Sequence, residues 1–302
     1  MTVVAALPQR PLIVGLGELL WDLLPPDKHI GGATANFAYH ANQLDADGIM
    51  VSCIGRDDLG RELEAQLRQR GLNTNYLRYD AGHPTGTVTV TKDAAGQPSY
   101  IIHTDVAWDF LPFDDELESL AARADAVCYG TLAQRAPATR RSIGAFLDAT
   151  RSNCLRVLDI NLRQQFYDAE TILASLAHAH VVKLNDEELP KVSALLDLPP
   201  GEMAAMDALL ERFALHLVAL TRGASGSSLY TRHRNSHNLG FTPPVVVDTV
   251  GAGDSFTAAL VSGLLRYEDL DRIHERASRL ASFVCSQPGG TPVTKAFLAS
   301  LS

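Results

Sequence analysis

Val245-Val246-Val247-Asp248-Thr249-Val250-Gly251-Ala252-Gly253-Asp254-Ser255-Phe256 runs into Thr257 to Leu265, an apolar stretch of helical texture. The β-branched run reads as a strand, the glycine-rich turn lets the chain bend sharply, and the segment behind it reads as a helix. Strand, turn and helix in that order form the repeating unit of α/β proteins, and the same rhythm recurs along the chain on working outward. Pro11 to Leu16, Ile49 to Ile54, Ala126 to Tyr129, Arg156 to Ile160, His180 to Leu184 and Leu215 to Leu220 are short apolar runs predicted to be buried strands. Leu59 to Arg70, Ala138 to Thr150 and Met203 to Phe213 carry helical spacing between them. The alternation predicts a mostly parallel sheet covered by helices.

A second texture interrupts this rhythm. Thr87-Val88-Thr89-Val90-Thr91, then Ala95-Gly96-Gln97, then Ser99 to His103 read as an antiparallel hairpin, and Leu19 to Leu24, ended by Pro25-Pro26, is another extended stretch. Two such pieces predict a small β lid, from about 18–32 and 84–106, inserted in one domain spanning 1–302. No internal repeat or long linker divides the chain.

With 302 residues, 46% of them hydrophobic and 20% charged, the chain can bury a full core and is not of disordered composition. The formal net charge of −9 gives no general attraction for polyanions, and no Lys/Arg cluster suggests a nucleic-acid or membrane surface. Any phosphate must therefore meet a local device. Cys53, Cys128, Cys154 and Cys285 lie far apart without metal-type spacing and read as buried thiols in a reducing compartment. Met1 to Arg10 lacks a basic n-region before a long apolar stretch, and no apolar run approaches the roughly 18 residues of a membrane span. A cytoplasmic location is the expectation. The histidines form no H-x-x-x-H pair in a helical pattern, no G-x-x-x-x-G-K-[ST] loop occurs, and the G-x-G at Gly15 and Gly17 fails as a dinucleotide fingerprint because its third position falls on Leu20.

The chemistry concentrates at the quoted stretch. Amides of Gly251, Ala252 and Gly253 at a helix start can converge on an anion, and the charge spread over a transferring phosphoryl group is what such amides stabilise. Asp254 stands at the mouth, where a carboxylate can take the proton of an attacking hydroxyl. An aspartate here can also serve merely as a helix cap; the surrounding pattern favours the chemical role.

Asp-Thr-x-Gly-Ala-Gly-Asp followed by Ser-Phe resembles the second signature of the ribokinase-like (pfkB) carbohydrate kinases. Gly31-Gly32-Ala33-Thr34-Ala35-Asn36 is similar to their first, Gly-Gly-x-x-x-Asn, preceded by Gly17-Glu18 and Trp21-Asp22. Asp159-Ile160-Asn161-Leu162-Arg163, Lys183 to Glu188 with Asn185 and Glu188 in an Asn-x-x-Glu register, and Thr221-Arg222-Gly223-Ala224-Ser225-Gly226 follow in the family's order. The resemblance covers nearly the whole chain. It implies a ribokinase-like three-layer sandwich with a mostly parallel central sheet and a small β-sheet lid, and an ATP-dependent kinase acting on a sugar hydroxyl.

Residue by residue, the resemblance implies sugar contacts at Asp22, Gly31, Gly32, Asn36, Arg163 and Asp254. It implies ATP contacts at Lys183, Asn185, Thr221, Gly223, Gly226, Gly253 and Ser278, and Mg²⁺ held through water by Asn185 and Glu188, although Glu187 and Glu188 could exchange roles. Ser278 stands where many members carry Asn, which leaves base recognition open. Asp248, Val250 and Gly289 resemble the family's monovalent-cation site, so K⁺ is a further possible cofactor. Glycines there and a fork-shaped guanidinium suit close contact with oxygens.

The overall pattern looks closest to bacterial fructokinases, making D-fructose to fructose 6-phosphate the leading expectation. Ribokinase or 2-keto-3-deoxygluconate kinase activity, and a catalytically silent sugar-binding regulator, are the alternatives. From the lid, Ile102, His103 and Trp108 are candidate sugar contacts; Trp108 can stack on a sugar or pack in the core, and the core is the expectation. Members often pair through their lids, so a homodimer is expected, with sugar and ATP as the small-molecule partners.

Overall fold

Leu12–Leu16 (β1), with the sequence LIVGL, is almost wholly buried because it lies inside a nine-stranded sheet. The computed structural model describes residues 10–24, 26–92 and 98–301; the expectations for Met1 to Gln9, Pro25 and the Ala95-Gly96-Gln97 turn lie outside the described residues. In chain order the other strands are Leu20–Leu24 (β2), Asp27–Gly31 (β3), Asp47–Gly55 (β4), Leu77–Asp80 (β5), Gly86–Lys92 (β6), Pro98–Ile102 (β7), Ala126–Gly130 (β8), Leu155–Asp159 (β9), Val181–Asn185 (β10), Leu217–Thr221 (β11), Ser227–Tyr230 (β12) and Asn235–Asn238 (β13). The large sheet has the order β13-β12-β11-β10-β9-β8-β1-β4-β5. It is parallel from β11 to β5 and antiparallel at the β11-β12 and β12-β13 steps.

Alternation along the strands sends successive side chains to opposite faces and so builds two cores. Val14, Val127, Leu158, Val182 and Leu220 pack on one face with Ile143, Phe146, Ile172, Leu176 and Leu209 from the helices Pro137–Asp148, Ala169–His178 and Glu202–Arg212. Ile13, Cys128, Val157, Val181 and Ala219 pack on the other with Phe37, Phe256, Leu260 and Leu280 from Ala33–Gln43, Ala252–Leu265 and Leu270–Cys285. Each fully buried Leu, Ile or Phe contributes roughly 1.5–3 kcal/mol. The result is the three-layer α/β architecture predicted.

Chain order leaves β1 toward β4 and β5 on one side, while β8 to β13 lie on its other side. Such a reversal opens a crevice at the carboxyl ends of the strands. Over it lies the second sheet, of order β3-β2-β6-β7, in which β2 runs parallel to β6 and the other pairs are antiparallel. Asp57 joins this sheet to the body: its carboxylate caps the Asp58–Gln69 helix at Gly60 N, 2.7 Å, and accepts Thr85 N at 2.8 Å, one residue before β6.

One expected element is absent. Val245, Val246 and Val247 form no strand; they are exposed, and the Val247 amide donates to the Cys285 carbonyl at the end of a helix, 2.8 Å. The large sheet ends at β13, so the triple valine has no strand to pair with. Conversely β12 and β13, sequences SSLY and NSHN, are too polar for apolar patterning to reveal.

Candidate active site

Helix Ala252–Leu265 begins at Gly251, whose φ of 77° is left-handed. A Cβ there would lie 2.4 Å from the Gly290 carbonyl oxygen, so only glycine permits both the bend and the contact. First-turn amides have no partner within their helix, and in the Gly251 to Gly253 turn the Ala252 amide donates to the Thr249 carbonyl at 3.4 Å. In the same turn Asp254 is partly exposed and accepts a hydrogen bond from Asn36 Nδ2 at 2.8 Å.

Asn36 lies on the Ala33–Gln43 helix and is 3% exposed, its Oδ1 buried without a partner. The neighbouring turn is held by Glu18, at the end of β1, which accepts the Ala33 amide at 3.1 Å. Burial and the Asp159 carboxylate push the Asp254 carboxyl up to about 7, against the Asn36 hydrogen bond and the positive Lys183 and Arg163. A carboxyl so placed can exchange a proton near neutrality.

Behind Asp254 lies a buried polar knot. Parallel pairing sets Asp159 on β9 opposite Lys183 on β10, and Lys183 Nζ donates to Asp159 Oδ1 at 3.0 Å while Thr257 Oγ1 donates to Oδ2 at 3.1 Å. Burial opposes the Lys183 charge, but the Asp159, Glu188 and Asp254 carboxylates hold its ammonium above the ordinary range. Its Nζ lies 2.9 Å from where a Cβ on Gly253 would sit, directly under the Gly251 to Gly253 turn. Glu188 accepts the amides of Leu162 and Asn185, both at 2.8 Å, and Asn185 Oδ1 accepts those of Glu187 at 3.0 Å and Glu188 at 2.8 Å. This exchange also separates Glu188, which is buried, from Glu187, which is exposed.

On the small-sheet side, Asp22 Oδ2 lies 2.4 Å from where a Cβ on Gly31 would be, so Asp22 and the Gly31-Gly32 turn share one wall. Burial raises the Asp22 carboxyl to about 6; His29 and Arg163 oppose the rise and Asp248 adds to it. Arg163 is exposed, and its charge acts on Glu18, Asp22 and Asp254 together. Trp108 is in the core as expected, 1% exposed, with the Arg135 guanidinium 3.9 Å from its ring centre. Ile102 is buried, and His103 is exposed and hydrogen-bonded to Thr89.

Beyond the Gly251 to Gly253 turn a cavity of about 300 Å³ opens between the loop after β11, the 240–249 segment and the Leu270–Cys285 helix. Five predicted nucleotide contacts line it: Thr221, Gly223, Gly226, Gly253 and Ser278. Lys183 and Asn185 stand outside that lining. Asp248 accepts the Val250 amide at 3.0 Å and the Gly289 amide at 3.2 Å, bringing these three residues together.

Sequence reading missed Glu18, Asp159 and His40 as site supports. His40 is fully buried and neutral, burial pushing its pKa down to about 4, so its Nε2 donates to the Gly290 carbonyl at 2.9 Å. Asp159 stood in a quoted motif, but its partner is visible only once β9 and β10 are in register.

A family model described as "pfkB family carbohydrate kinase" matches residues 26–296. A fructokinase of Klebsiella pneumoniae is 31% identical over 278 residues, covering 88% of each chain. Among solved structures, an uncharacterized sugar kinase of Pyrococcus horikoshii in complex with ATP superposes with a TM-score of 0.77 at 25% identity, covering 93% of this chain and 94% of that one. A fructokinase of Xylella fastidiosa with bound ATP gives a TM-score of 0.81 at 21% identity, over 96% and 97%.

Proposed function

The chain belongs to the pfkB family of carbohydrate kinases, and from that premise we propose that it transfers the γ-phosphoryl group of ATP to the primary hydroxyl of D-fructose, giving fructose 6-phosphate. The observation that carries the reading is Asp254: partly exposed, raised toward neutrality, and set in the first turn of a helix between a nucleotide-sized cavity and the Asp22, Gly31 and Arg163 wall. Sugar binds under the small sheet, which acts as the lid, with Asp22 and Arg163 on its oxygens. Asp254 takes the hydroxyl proton as the alcohol attacks, and the amides of the Gly251 to Gly253 turn stabilise the migrating phosphoryl charge. Asn36 orients the base and Lys183 carries positive charge beneath the turn. Closure of the lid excludes water from the transfer. The fructokinase relative supports fructose over other sugars.

Mg²⁺ fits this site as an ion held through its waters. The oxygens of Glu188 and the Oδ1 of Asn185 already accept backbone amides, and among the described residues no group of three or more His, Cys, Asp or Glu could hold a metal. Bound with ATP, Mg²⁺ would neutralise phosphate charge, in keeping with a hard ion that retains several waters. Asp248 uses both carboxylate oxygens to tie the 248–250 and 289 loops, so a K⁺ ion beside them would rest largely on backbone carbonyls.

A coupled assay of ADP release over a panel of free sugars tests the reading. D-fructose should give the highest kcat/KM, ahead of D-ribose and 2-keto-3-deoxygluconate; ADP release with none of them would leave a sugar-binding regulator. The pH profile supplies a second test. Asp254 must be unprotonated to act as base, so with its carboxyl raised to about 7, kcat/KM should climb as pH rises through that value. A profile flat from pH 5 to 9 would exclude Asp254 as the titrating base.

A further inference from the structure

We propose that a hydrogen-bond chain from Asp271 to Ser278 fixes the polarity of the cavity wall, so that the enzyme selects a phosphoryl donor whose base presents an amino group there, adenine over a 6-oxo purine. The inference rests on the reading of the cavity as the nucleotide site. Ser227 and Ser278 both line that cavity, from β12 and from the Leu270–Cys285 helix, and are only 4% and 7% exposed. Behind them His274, 1% exposed, places Nε2 2.8 Å from Ser227 Oγ and Nδ1 2.9 Å from Ser236 Oγ. Ser236 in turn reaches Asp271 Oδ1 at the start of the helix, and Ser227 Oγ stands 3.3 Å from Ser278 Oγ.

Counting protons gives the direction. A carboxylate only accepts, so the single hydroxyl proton of Ser236 goes to Asp271. Ser236 then accepts from His274, which places the imidazole proton on Nδ1. Burial pushes the His274 pKa down to about 4, so the ring is neutral and carries one N–H. Its bare Nε2 must accept from Ser227, whose proton is thereby used, and the contact between the two serines can form only with Ser278 donating. Every hydroxyl proton in the chain points away from the cavity. Ser278 and Ser227 are left with lone pairs alone, which a 6-amino group can satisfy and a 6-oxo group cannot.

A site that leaves its polar groups unpaired against the wrong ligand discriminates strongly, whereas serines free to rotate would accept either edge. Here the serines are locked by an aspartate in the first turn of the same helix, about two turns before Ser278. Asp271 and Ser236 are therefore specificity-determining residues that never touch the nucleotide.

The test compares ATP with ITP as donors at saturating fructose. The wild-type enzyme should prefer ATP in kcat/KM by about tenfold or more. In Asp271→Asn the side-chain amide can donate to Ser236, releasing the chain to reverse, and the ATP-to-ITP ratio should fall by roughly threefold to tenfold, the worth of one hydrogen bond. Ser236→Ala cuts the chain at its middle and should lower the ratio likewise, with the fructose KM unchanged in both variants. A wild-type ratio within twofold of unity, or an unaltered ratio in both active variants, would overturn the inference. Loss of turnover with every nucleoside triphosphate in the wild-type protein would instead strike at the kinase reading itself.

Discussion

Asp254→Asn should lower kcat by about 10²–10⁴, the contribution of a positioned general base, with a much smaller change in the KM for sugar. Asparagine keeps the size and an oxygen for the Asn36 hydrogen bond, so the turn and the cleft persist while proton acceptance is lost. Steady-state kinetics with fructose decide the matter; a loss smaller than about tenfold would remove Asp254 from the base role. The same variant should be more stable than the parent at neutral pH. Because the folded Asp254 carboxyl is raised from the ordinary carboxylate range to about 7, the native state binds more protons than the unfolded chain across that interval. Stability therefore falls as pH rises through it, and a neutral amide removes that penalty. A melting temperature raised at pH 8 but little changed at pH 4 is the expected signature.

The second large effect is predicted at Lys183→Met. Side chains of Lys183 and Asp159 are 8% and 6% exposed, and their contact at 3.0 Å is the only ion pair of Lys183 among those of the described residues. Removing the cation leaves a buried carboxylate beside Asp254 with only the Thr257 hydroxyl to satisfy it. Breaking a buried pair from one side costs about 3–5 kcal/mol. Denaturant unfolding should show that loss, and the double variant Lys183→Met with Asp159→Leu should recover much of it, since removing both charges is often close to neutral. Equal instability of the single and double variants would mean that Lys183 acts by packing and not by charge. Activity should be lost in both, because the positive charge under Gly253 is gone.

How far the sequence disclosed this molecule depends on the length over which its signals act. Apolar runs such as Val181 to Leu184 announce buried parallel strands because both faces are covered, and the Gly-Ala-Gly-Asp turn announces its bend because its geometry is local. Val245 to Val247 misled for the same reason: a β-branched run favours extended backbone, yet a strand needs a neighbour, and the sheet had already ended at the polar β13. The motif residues Asp22, Gly31, Asn36, Arg163 and Asp254 could be named because their motifs resemble the pfkB signatures. Their supports could not, since Asp159 finds Lys183 through cross-strand register and His40 finds Gly290 across 250 positions. Ser278 shows the limit most plainly. Whether it gives or receives a proton is decided by Asp271, through His274 and two serines, Ser236 and Ser227, of a hairpin too polar to be foreseen.

The Asn36 to Asp254 hydrogen bond spans 218 positions of the chain. The Ala33–Gln43 helix and the turn that opens the Ala252–Leu265 helix must both be in place before this contact exists. Closing so long a loop is also a slow contact to form, so gain of activity should trail gain of helix during refolding.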